Sequence, residues 1–301
     1  MNALNATAFY MNFALITPAR NEAPFIRGLV DSVLGQTARP IVWVFVSDGS
    51  SDGTDDLMME AARRNPFIRL IRREAANDRS FGSKALAFRC GWDAISNLPF
   101  DFVGNLDADI TLLPDYYESI LVEMQRNVRL GIASGVCMER QGADFRCITI
   151  STNHAVGAVQ LFRRSCFDAI GGYQPVSVGG MDALAELTAR MKGWETRAFG
   201  HLPVYHHKPV DSANARGRMR IRYRAGMTEY HIGSSPLFAI AKALRRWNDK
   251  PFLLGMLFRL FAYFKLLLGR VPRDASEELV AYLRREQRAR MWSWITRRGE
   301  H

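Results

Sequence analysis

The chain has 301 residues and a mass of 34.1 kDa, and 48% of its residues are hydrophobic and 11% aromatic. This content excludes a chain that is mainly disordered, and the length suffices for one large domain or two modest ones. The 40 Lys and Arg residues exceed the 30 Asp and Glu residues, so the formal net charge is +10, which indicates an anionic partner such as nucleic acid or a membrane surface.

Short apolar runs alternate with helical patterns in the first part of the chain. Strands are predicted at residues 13–17, 41–47, 68–71 and 102–106, and helices at 22–35, 53–64, 82–95 and from Pro114 onward. This alternation is typical of a parallel α/β sheet. Because ligands of such sheets bind beyond the carboxyl ends of the strands, we expect the functional residues in the loops that follow the strands.

The first carboxylate-bearing loop, residues 47–54, follows the second predicted strand. Its glycines permit a tight turn, and Asp52 is predicted to cap the next helix. Asp48 lies nearer the end of the strand, so we expect its side chain to point into the crevice.

The second loop contains Asp107 and Asp109 directly after an apolar strand. Residues i and i+2 of an extended segment share a face, so the two carboxylates project to the same side. They would repel each other unless a cation or hydrogen-bond donors lay nearby, and hard oxygen ligands suit Mg²⁺ or Mn²⁺.

The third loop, Gly179-Gly180-Met181-Asp182, leads into a helix predicted to reach residue 192. A carboxylate at the start of a helix is either a partner of the helix dipole or, after two flexible glycines, a general base. The sequence leaves both roles open for Asp182.

In this order, the three loops resemble the family 2 glycosyltransferases of the GT-A fold. The resemblance covers roughly residues 11–210, and Met181 departs from it because many members carry Glu there. The matching segments are Pro18-Ala19-Arg20-Asn21-Glu22, residues 48–54, Phe81-Gly82-Ser83-Lys84-Ala85, Asp107-Ala108-Asp109, Phe162-Arg163-Arg164 with Gly171-Gly172-Tyr173, and Asp182 with Gly193-Trp194.

The resemblance implies a binding site for the nucleotide of a sugar donor. Pro18 and Glu22 would line the nucleoside pocket, and Asp48 would accept a hydrogen bond from the base, most simply from N3–H of uracil. Lys84 would approach the diphosphate, and Asp107 would contact the ribose or a metal-bound water. A UDP-sugar is therefore the favoured donor.

The same resemblance implies the catalytic groups. Asp109, with Asp107, would bind Mn²⁺ or Mg²⁺, and Asp182 would deprotonate the acceptor hydroxyl, with inversion at the anomeric carbon. His206 and His207 follow a predicted strand, and they are either a satisfied polar pair or include one further ligand of the metal or diphosphate.

The positive charge is concentrated in the last third of the chain. Residues 206–301 hold 20 Lys and Arg against 8 Asp and Glu, whereas residues 1–205 hold 20 against 22. We therefore predict a GT-A nucleotide-sugar and catalytic domain at 11–205 and a basic helical extension at 206–301. Five arginines occupy every second position from Arg216 to Arg224. Three interpretations stay open for them: a solvated charged segment, a clamp for phosphate and, least favoured, a nucleic-acid site.

Residues 251–269 are the most hydrophobic stretch of the chain. Arg259 and Lys265 offset the gain from its apolar residues, so a membrane-spanning helix is not favoured. A helix that packs on the enzyme, or lies in the headgroup region beside flanking arginines, fits better. Four cysteines without metal-like spacing and the lack of a secretion signal indicate a cytoplasmic protein. The basic last third with its apolar stretch further predicts a peripheral location on the inner face of the membrane.

The sequence thus predicts a metal-dependent inverting glycosyltransferase. It would transfer a sugar to a hydroxyl of a glycan or lipid-linked acceptor in surface polysaccharide or glycolipid biosynthesis, without a nucleic-acid partner. Two alternatives stay open: a phosphatase of the haloacid-dehalogenase type with Asp107 as nucleophile, and a non-catalytic membrane or nucleic-acid binding protein on a degenerate fold.

Overall fold

The computed structural model describes residues 11–74, 82–148, 152–208, 215–245, 247 and 252–296. Phe81 and Pro251, which begin segments singled out above, lie outside these ranges. The described strands are β1 (Phe13–Ala19), β2 (Val42–Asp48), β3 (Ile68–Arg73), β4 (Phe102–Asn105), β5 (Ile110–Leu112), β6 (Leu130–Gln141), β7 (Asp144–Cys147), β8 (Leu161–Arg163) and β9 (Glu195–His206).

The helices follow the predicted alternation with the strands and then continue alone. They are α1 (Ala23–Leu34), α2 (Thr54–Arg64), α3 (Gly82–Asp93), α4 (Tyr116–Arg126), α5 (Arg164–Ile170), α6 (Met181–Met191), α7 (Ala215–His231), α8 (Pro236–Arg245), α9 (Phe252–Leu268) and α10 (Glu277–Thr296). Each predicted strand and helix of the first 126 residues is confirmed, with small shifts of its ends. β5 to β8 and α5 were not predicted.

One sheet has the strand order β3-β2-β1-β4-β8-β6-β9-β5, with β7 attached to β6. Strands β1 to β4 pair in parallel, as do β6 and β9, whereas the pairs that involve β5, β7 and β8 are antiparallel. The longest ladders are parallel, which confirms the predicted α/β class with a helical extension. The carboxyl ends of β1, β2 and β4 meet at one edge of the sheet.

Both faces of the sheet are covered, as the continuous apolar run of β2 indicates. Trp43 and Phe45 point into one buried cluster together with α1, α2 and α4, and Val44 and Val46 point into a second cluster with α3, α5 and α6. Leu279 of α10 belongs to the second cluster. Helix α10 therefore packs on the same side of the sheet as α3, α5 and α6. The predicted boundary between two domains near residue 205 stays a prediction.

In the part of the chain that the structure describes, no helix combines the length and the apolar character that crossing a bilayer requires.

Candidate active site

A cavity of about 570 Å³ lies at the carboxyl ends of β1, β2 and β4. Parallel strands end at the same edge, so the loops that follow them converge there. Six residues singled out in the sequence line this cavity, namely Pro18, Glu22, Asp48, Lys84, Asp107 and Asp109. The structure therefore brings together the predicted nucleotide-binding residues and both carboxylates of the second loop.

Asp107 is held by donors on both of its oxygens. Lys84 Nζ lies 2.8 Å from Oδ2 and 2.6 Å from Oδ1, and Asn105 Nδ2 donates to Oδ1 at 3.0 Å. Burial raises the pKa of Asp107 against the lowering effect of Lys84. Burial alone would lower the pKa of Lys84, but Asp107 reverses this effect and the pKa is raised. Lys84 thus stays protonated and balances Asp107 at the base of the cavity.

Asp109 is paired with His206 rather than with His207. His206 Nε2 lies 3.0 Å from Asp109 Oδ2 because β5 and β9 pair with Ile110 opposite His206. Burial would raise the pKa of Asp109, but the hydrogen bond from His206 lowers it, and the same bond raises the pKa of His206. His207 is instead 2.7 Å from Thr111 Oγ1. Of the two histidines, His206 is the one that faces the second carboxylate loop.

The side chains around Asp109 provide too few metal ligands for a divalent cation, so a substrate and water would have to supply the others. Among the described residues, no three His, Cys, Asp or Glu side chains form a cluster that could hold a metal ion by themselves. Asp109 Oδ2 and His206 Nε2 lie 3.0 Å apart, and this nitrogen could bind an ion only after giving up the proton of its hydrogen bond to Asp109. Mg²⁺ usually keeps several waters and takes one or two carboxylates plus substrate phosphates, and such a site matches this arrangement.

Several buried oxygens in the cavity wall lack donors. Within the described residues, Glu22 Oε2, Asp48 Oδ1 and Ser83 Oγ have no hydrogen-bond partner. Arg73 approaches Asp48 Oδ1 at 3.4 Å as a charge contact only. Burial raises the pKa of Glu22 despite a hydrogen bond from Lys208. Because unpaired buried acceptors are costly, these atoms are most simply explained as contacts for a ligand.

The first two motif loops hold each other in place. Asn21 has a left-handed backbone (φ 56°), and its Oδ1 accepts a hydrogen bond from the Ser51 amide at 2.8 Å. Asp52 accepts hydrogen bonds from the amides of Ala23 and Thr54, each at 3.1 Å. Asp52 therefore holds the starts of α1 and α2 together, but the prediction that it is the N-cap residue of α2 is wrong, because Gly53 occupies that position.

Asp182 lies beside the cavity rather than in its wall. It is in the first turn of α6, and its side chain is packed against the turn at Gly157. Asn105 Nδ2 donates to the Gly157 carbonyl at 2.8 Å as well as to Asp107, so this turn connects the second carboxylate loop to Asp182. Met181, the departure from the family pattern, is buried in the second cluster, where an ionised Glu would lack a partner.

Arg220 also lines the cavity, and it was not predicted individually. The alternating arginines lie on the helix α7, where they spread around the axis, and only residues four apart share a face. Arg220 and Arg224 form such a pair, and Arg224 donates to the Val178 carbonyl at 3.0 Å, just before the loop that carries Asp182. Arg216/Arg220 and Arg218/Arg222 have the same i, i+4 spacing, so the sequence alone could not have identified Arg220, which only the fold brings to the cavity.

Replacing Gly157 by Ala should displace Asp182. A Cβ at this position would lie 2.2 Å from Asp182 Oδ2 and 2.8 Å from its Cβ, so the aspartate must move as a whole. We expect turnover to fall at least tenfold, while the affinity for the nucleotide that the sequence resemblance implies changes little. Steady-state kinetics and titration with that nucleotide measure the two effects. Gly200→Ala is the control for an added methyl in open space, and equal turnover in the wild type and Gly157→Ala would contradict this placement of Asp182.

Comparison with known proteins gives a consistent picture. The sequence model of glycosyl transferase family 2 matches residues 14–165. The chain is similar to a chondroitin synthase and a hyaluronan synthase of Pasteurella multocida, each 29% identical over 117 residues. These matches cover 39% of this chain and only 11% of either relative, so the chain spans a small part of their length.

Solved structures show the same fold at low sequence identity. The mannosyltransferase PcManGT from Pyrobaculum calidifontis, in complex with GDP-Man and Mn²⁺, is 19% identical with a TM-score of 0.55, over 90% of this chain and 78% of that one. Residues 1–349 of S. aureus TarS, in complex with UDP-GlcNAc, are 15% identical with a TM-score of 0.52, over 71% and 66% of the two chains. Both complexes contain a nucleotide sugar.

Proposed function

The chain belongs to glycosyl transferase family 2, and from this we propose that it transfers a sugar from a nucleotide-sugar donor to a hydroxyl group of an acceptor. One observation carries the proposal: the cavity that gathers six residues of the family motifs is also lined by Glu22, Asp48 and Ser83, each of which has a buried side-chain oxygen without a hydrogen bond from the described residues. Asp107 lies inside the family match, which argues against the phosphatase alternative.

The favoured donor is a UDP-sugar. Asp48 Oδ1 is a buried acceptor without a hydrogen bond among the described residues, at the end of β2 where a base would enter. Uracil presents an N3–H donor, whereas neutral cytosine has only an acceptor at that position. At this contact, a carboxylate at position 48 would therefore favour UDP over CDP.

The diphosphate would lie between the second carboxylate loop and α7. Asp109 and His206 would hold a Mn²⁺ or Mg²⁺ ion, which when bound would neutralise the departing nucleoside diphosphate. Arg220 would contact the phosphate oxygens from the opposite side, and guanidinium groups suit this geometry. Lys84 would keep Asp107 oriented toward the ribose or toward a metal-bound water.

Asp182 would act as the general base. Lys84 and His206 donate hydrogen bonds to Asp107 and Asp109, not to Asp182. Asp182 lies in the first turn of α6, next to the Gly157 turn. Removing the proton from the acceptor hydroxyl would prepare it for in-line attack on the anomeric carbon. A single base without a second nucleophile gives inversion of configuration.

Nucleotide binding tests the whole proposal. We expect UDP with Mn²⁺ to raise the melting temperature of the protein clearly, CDP to raise it much less, and UDP without a divalent cation to act weakly. Asp109→Ala should remove the effect of Mn²⁺ but keep part of the UDP effect. Thermal-shift measurements with and without chelator provide the readout. If no nucleoside diphosphate stabilises the protein, the proposed function is wrong.

Replacing Arg220 by Gln should weaken binding of UDP but not of uridine. Loss of one charge-assisted contact to phosphate corresponds to about 1.5–3 kcal/mol, or roughly 10- to 100-fold in Kd. Arg222→Gln is the matched control, because residue 222 lies on another face of α7. Calorimetric titration with UDP and uridine separates the two contributions, and an equal loss for both ligands would mean that Arg220 does not contact the diphosphate.

The acceptor would be a glycan or a lipid-linked glycan in surface polysaccharide or glycolipid biosynthesis, with the enzyme peripheral on the inner face of the membrane. The strongly basic last third of the chain, with 20 Lys and Arg against 8 Asp and Glu, supports an anionic surface as neighbour. The family match gives no reason to add a nucleic-acid partner.

A further inference from the structure

Helix α9 presents its apolar side to the outside. Its buried residues are Gly255, Arg259, Ala262 and Tyr263, which lie on one face. The opposite face carries large apolar side chains that are 42% to 81% exposed, namely Leu253, Leu254, Leu257, Phe258, Phe261 and Leu268. A surface helix of a globular protein normally has the reverse arrangement, with apolar residues toward the core.

The single charge in the middle of α9 is turned inward. Arg259 is only 4% exposed, and its Nε donates to Glu229 Oε2 of α7 at 2.8 Å. A charged residue in the middle of a helix normally opposes its placement in lipid, but Arg259 does not add this cost because its guanidinium is paired inside the protein. Lys265, the other cation, is exposed in the last turn, where a lysine can extend to the headgroup level.

The surroundings of this face are basic and aromatic. Arg245 and Arg270 are exposed near the ends of α8 and α9, and Trp247 is 54% exposed beside Arg245. Helix α8, which packs on α9, adds Leu237 and Leu244 to the exposed apolar side chains. An apolar face bordered by cations and Trp is the composition of helices that lie in the interface of an anionic bilayer.

We propose that the exposed face of α9, with the exposed side chains of α8, docks on an anionic lipid bilayer. A second copy of this chain would be a poorer occupant, because α8 and α9 contain no acidic residue that could pair with the cations of the other copy. Negative headgroups complement these cations, and the acyl region accepts the leucines and phenylalanines.

Docking through α9 would bring the catalytic cavity close to the membrane. On α7, Arg220 and Arg224 face the cavity side, whereas Gly226 and Glu229 lie on the opposite side of the helix and contact Arg259. One helix diameter, about 10 Å, therefore separates the cavity side of α7 from α9. This placement rests on the proposed function, and it favours an acceptor that is anchored in the same bilayer.

The packing of α7 on α9 makes this connection rigid. A Cβ at Gly226 would lie 2.1 Å from the carbonyl oxygen of Arg259, so the two backbones approach as closely as glycine allows. Tyr263 of α9 is fully buried and donates to the Ser234 carbonyl. The helix that would touch lipid and the helix that carries Arg220 thus form one packed unit.

Vesicle flotation without nucleotide tests the docking surface. The full chain should bind vesicles of equimolar phosphatidylcholine and phosphatidylglycerol at least about tenfold more tightly than vesicles of phosphatidylcholine alone, and salt should weaken the binding. The double variant Leu254→Glu, Phe261→Glu should lose binding and keep its melting temperature, because both side chains are exposed. Val128→Glu, at a 71% exposed position outside α8 and α9, is the matched control and should bind like the wild type.

Two results would overturn the docking proposal. One is equal or absent binding to both kinds of vesicle. The other is a dimer in light scattering that the same double variant dissociates, which would assign the face to a second copy. UDP binding is measured without vesicles, so a protein that floats but does not bind UDP would refute the proposed function alone, and the reverse result would refute the docking alone.

Discussion

Replacing Asp182 by Asn is expected to lower kcat by about 10²–10⁴-fold, the usual contribution of a positioned general base. Asparagine keeps the size and the hydrogen-bonding shape of the side chain but cannot take up the proton of the acceptor. Since Asp182 lies beside the cavity and not among the residues that line it, the proposed stabilisation by UDP and Mn²⁺ should be unchanged. Initial-rate kinetics and thermal shifts on the same preparation measure both quantities.

Asp168→Asn is the matched control, because Asp168 is a half-exposed aspartate that pairs with Arg164 on α5. It should retain wild-type turnover. If Asp182→Asn kept wild-type kcat, or lost UDP binding together with activity, Asp182 would not be the base. A residual activity independent of pH in the variant would agree with loss of the proton acceptor alone.

Replacing Glu229 by Gln is expected to reduce the free energy of unfolding by about 3–5 kcal/mol at pH 7, since it leaves a buried charge without its partner. Glu229 pairs with Arg259 at 2.8 Å and with Lys242 at 2.9 Å, and both Glu229 and Arg259 are almost fully buried. Urea unfolding measures the loss. Glu60→Gln is the control, because the exposed pair of Glu60 and Arg64 should contribute less than about 1 kcal/mol.

The effect of Glu229→Gln should depend on pH. Burial would raise the pKa of Glu229, but the hydrogen bond from Arg259 and the charge of Lys242 hold it below its ordinary value of 4.5. A lowered pKa in the folded state stabilises the protein above pH 4.5, and this stabilisation is lost as the pH falls through the lowered value. The difference between the wild type and the variant should therefore shrink in acid. A difference that stayed constant or grew would contradict the ion pair.

The double variant Glu229→Gln, Arg259→Met separates the contribution of the ion pair to the free energy of unfolding from the contribution of other contacts of Arg259. Arg259→Met removes the buried charge that Glu229→Gln leaves without a partner and keeps an apolar side chain of similar length. We expect the second substitution to recover a large part of the loss, and a further loss would mean that Arg259 stabilises the fold through contacts other than Glu229.

Much of the site could be predicted from the sequence because parallel strands impose a simple geometry. Asp48 and Asp107 each follow an apolar strand, and the strands β2 and β4 flank β1, so their ends and the Pro18 loop converge without any long-range information. The helix that begins after Gly180 could likewise be located from its glycines and its apolar spacing.

The remaining features depend on contacts between distant segments. The choice of His206 over His207 follows from the antiparallel register of β5 and β9, which no local pattern reveals. β8 has three residues, too few for a periodic signal, and β6 is interrupted by glycines. Arg259 points inward because it pairs with Glu229, which is thirty residues away in the sequence. Hydropathy does not detect such a partner, so from the sequence Arg259 was only a charge that opposes membrane insertion.

The double capping by Asp52 has a consequence for the electric potential of the site. Its carboxylate accepts amides from the starts of both α1 and α2, and burial would raise its pKa, but the hydrogen bonds from Thr54 and Ala23 lower it, so the charge remains. A negative charge therefore already lies at the positive ends of these two helix dipoles. An anionic ligand of the cavity would be attracted mainly by cationic side chains of its wall, such as Arg20 and Arg220, so its binding should weaken as the ionic strength rises.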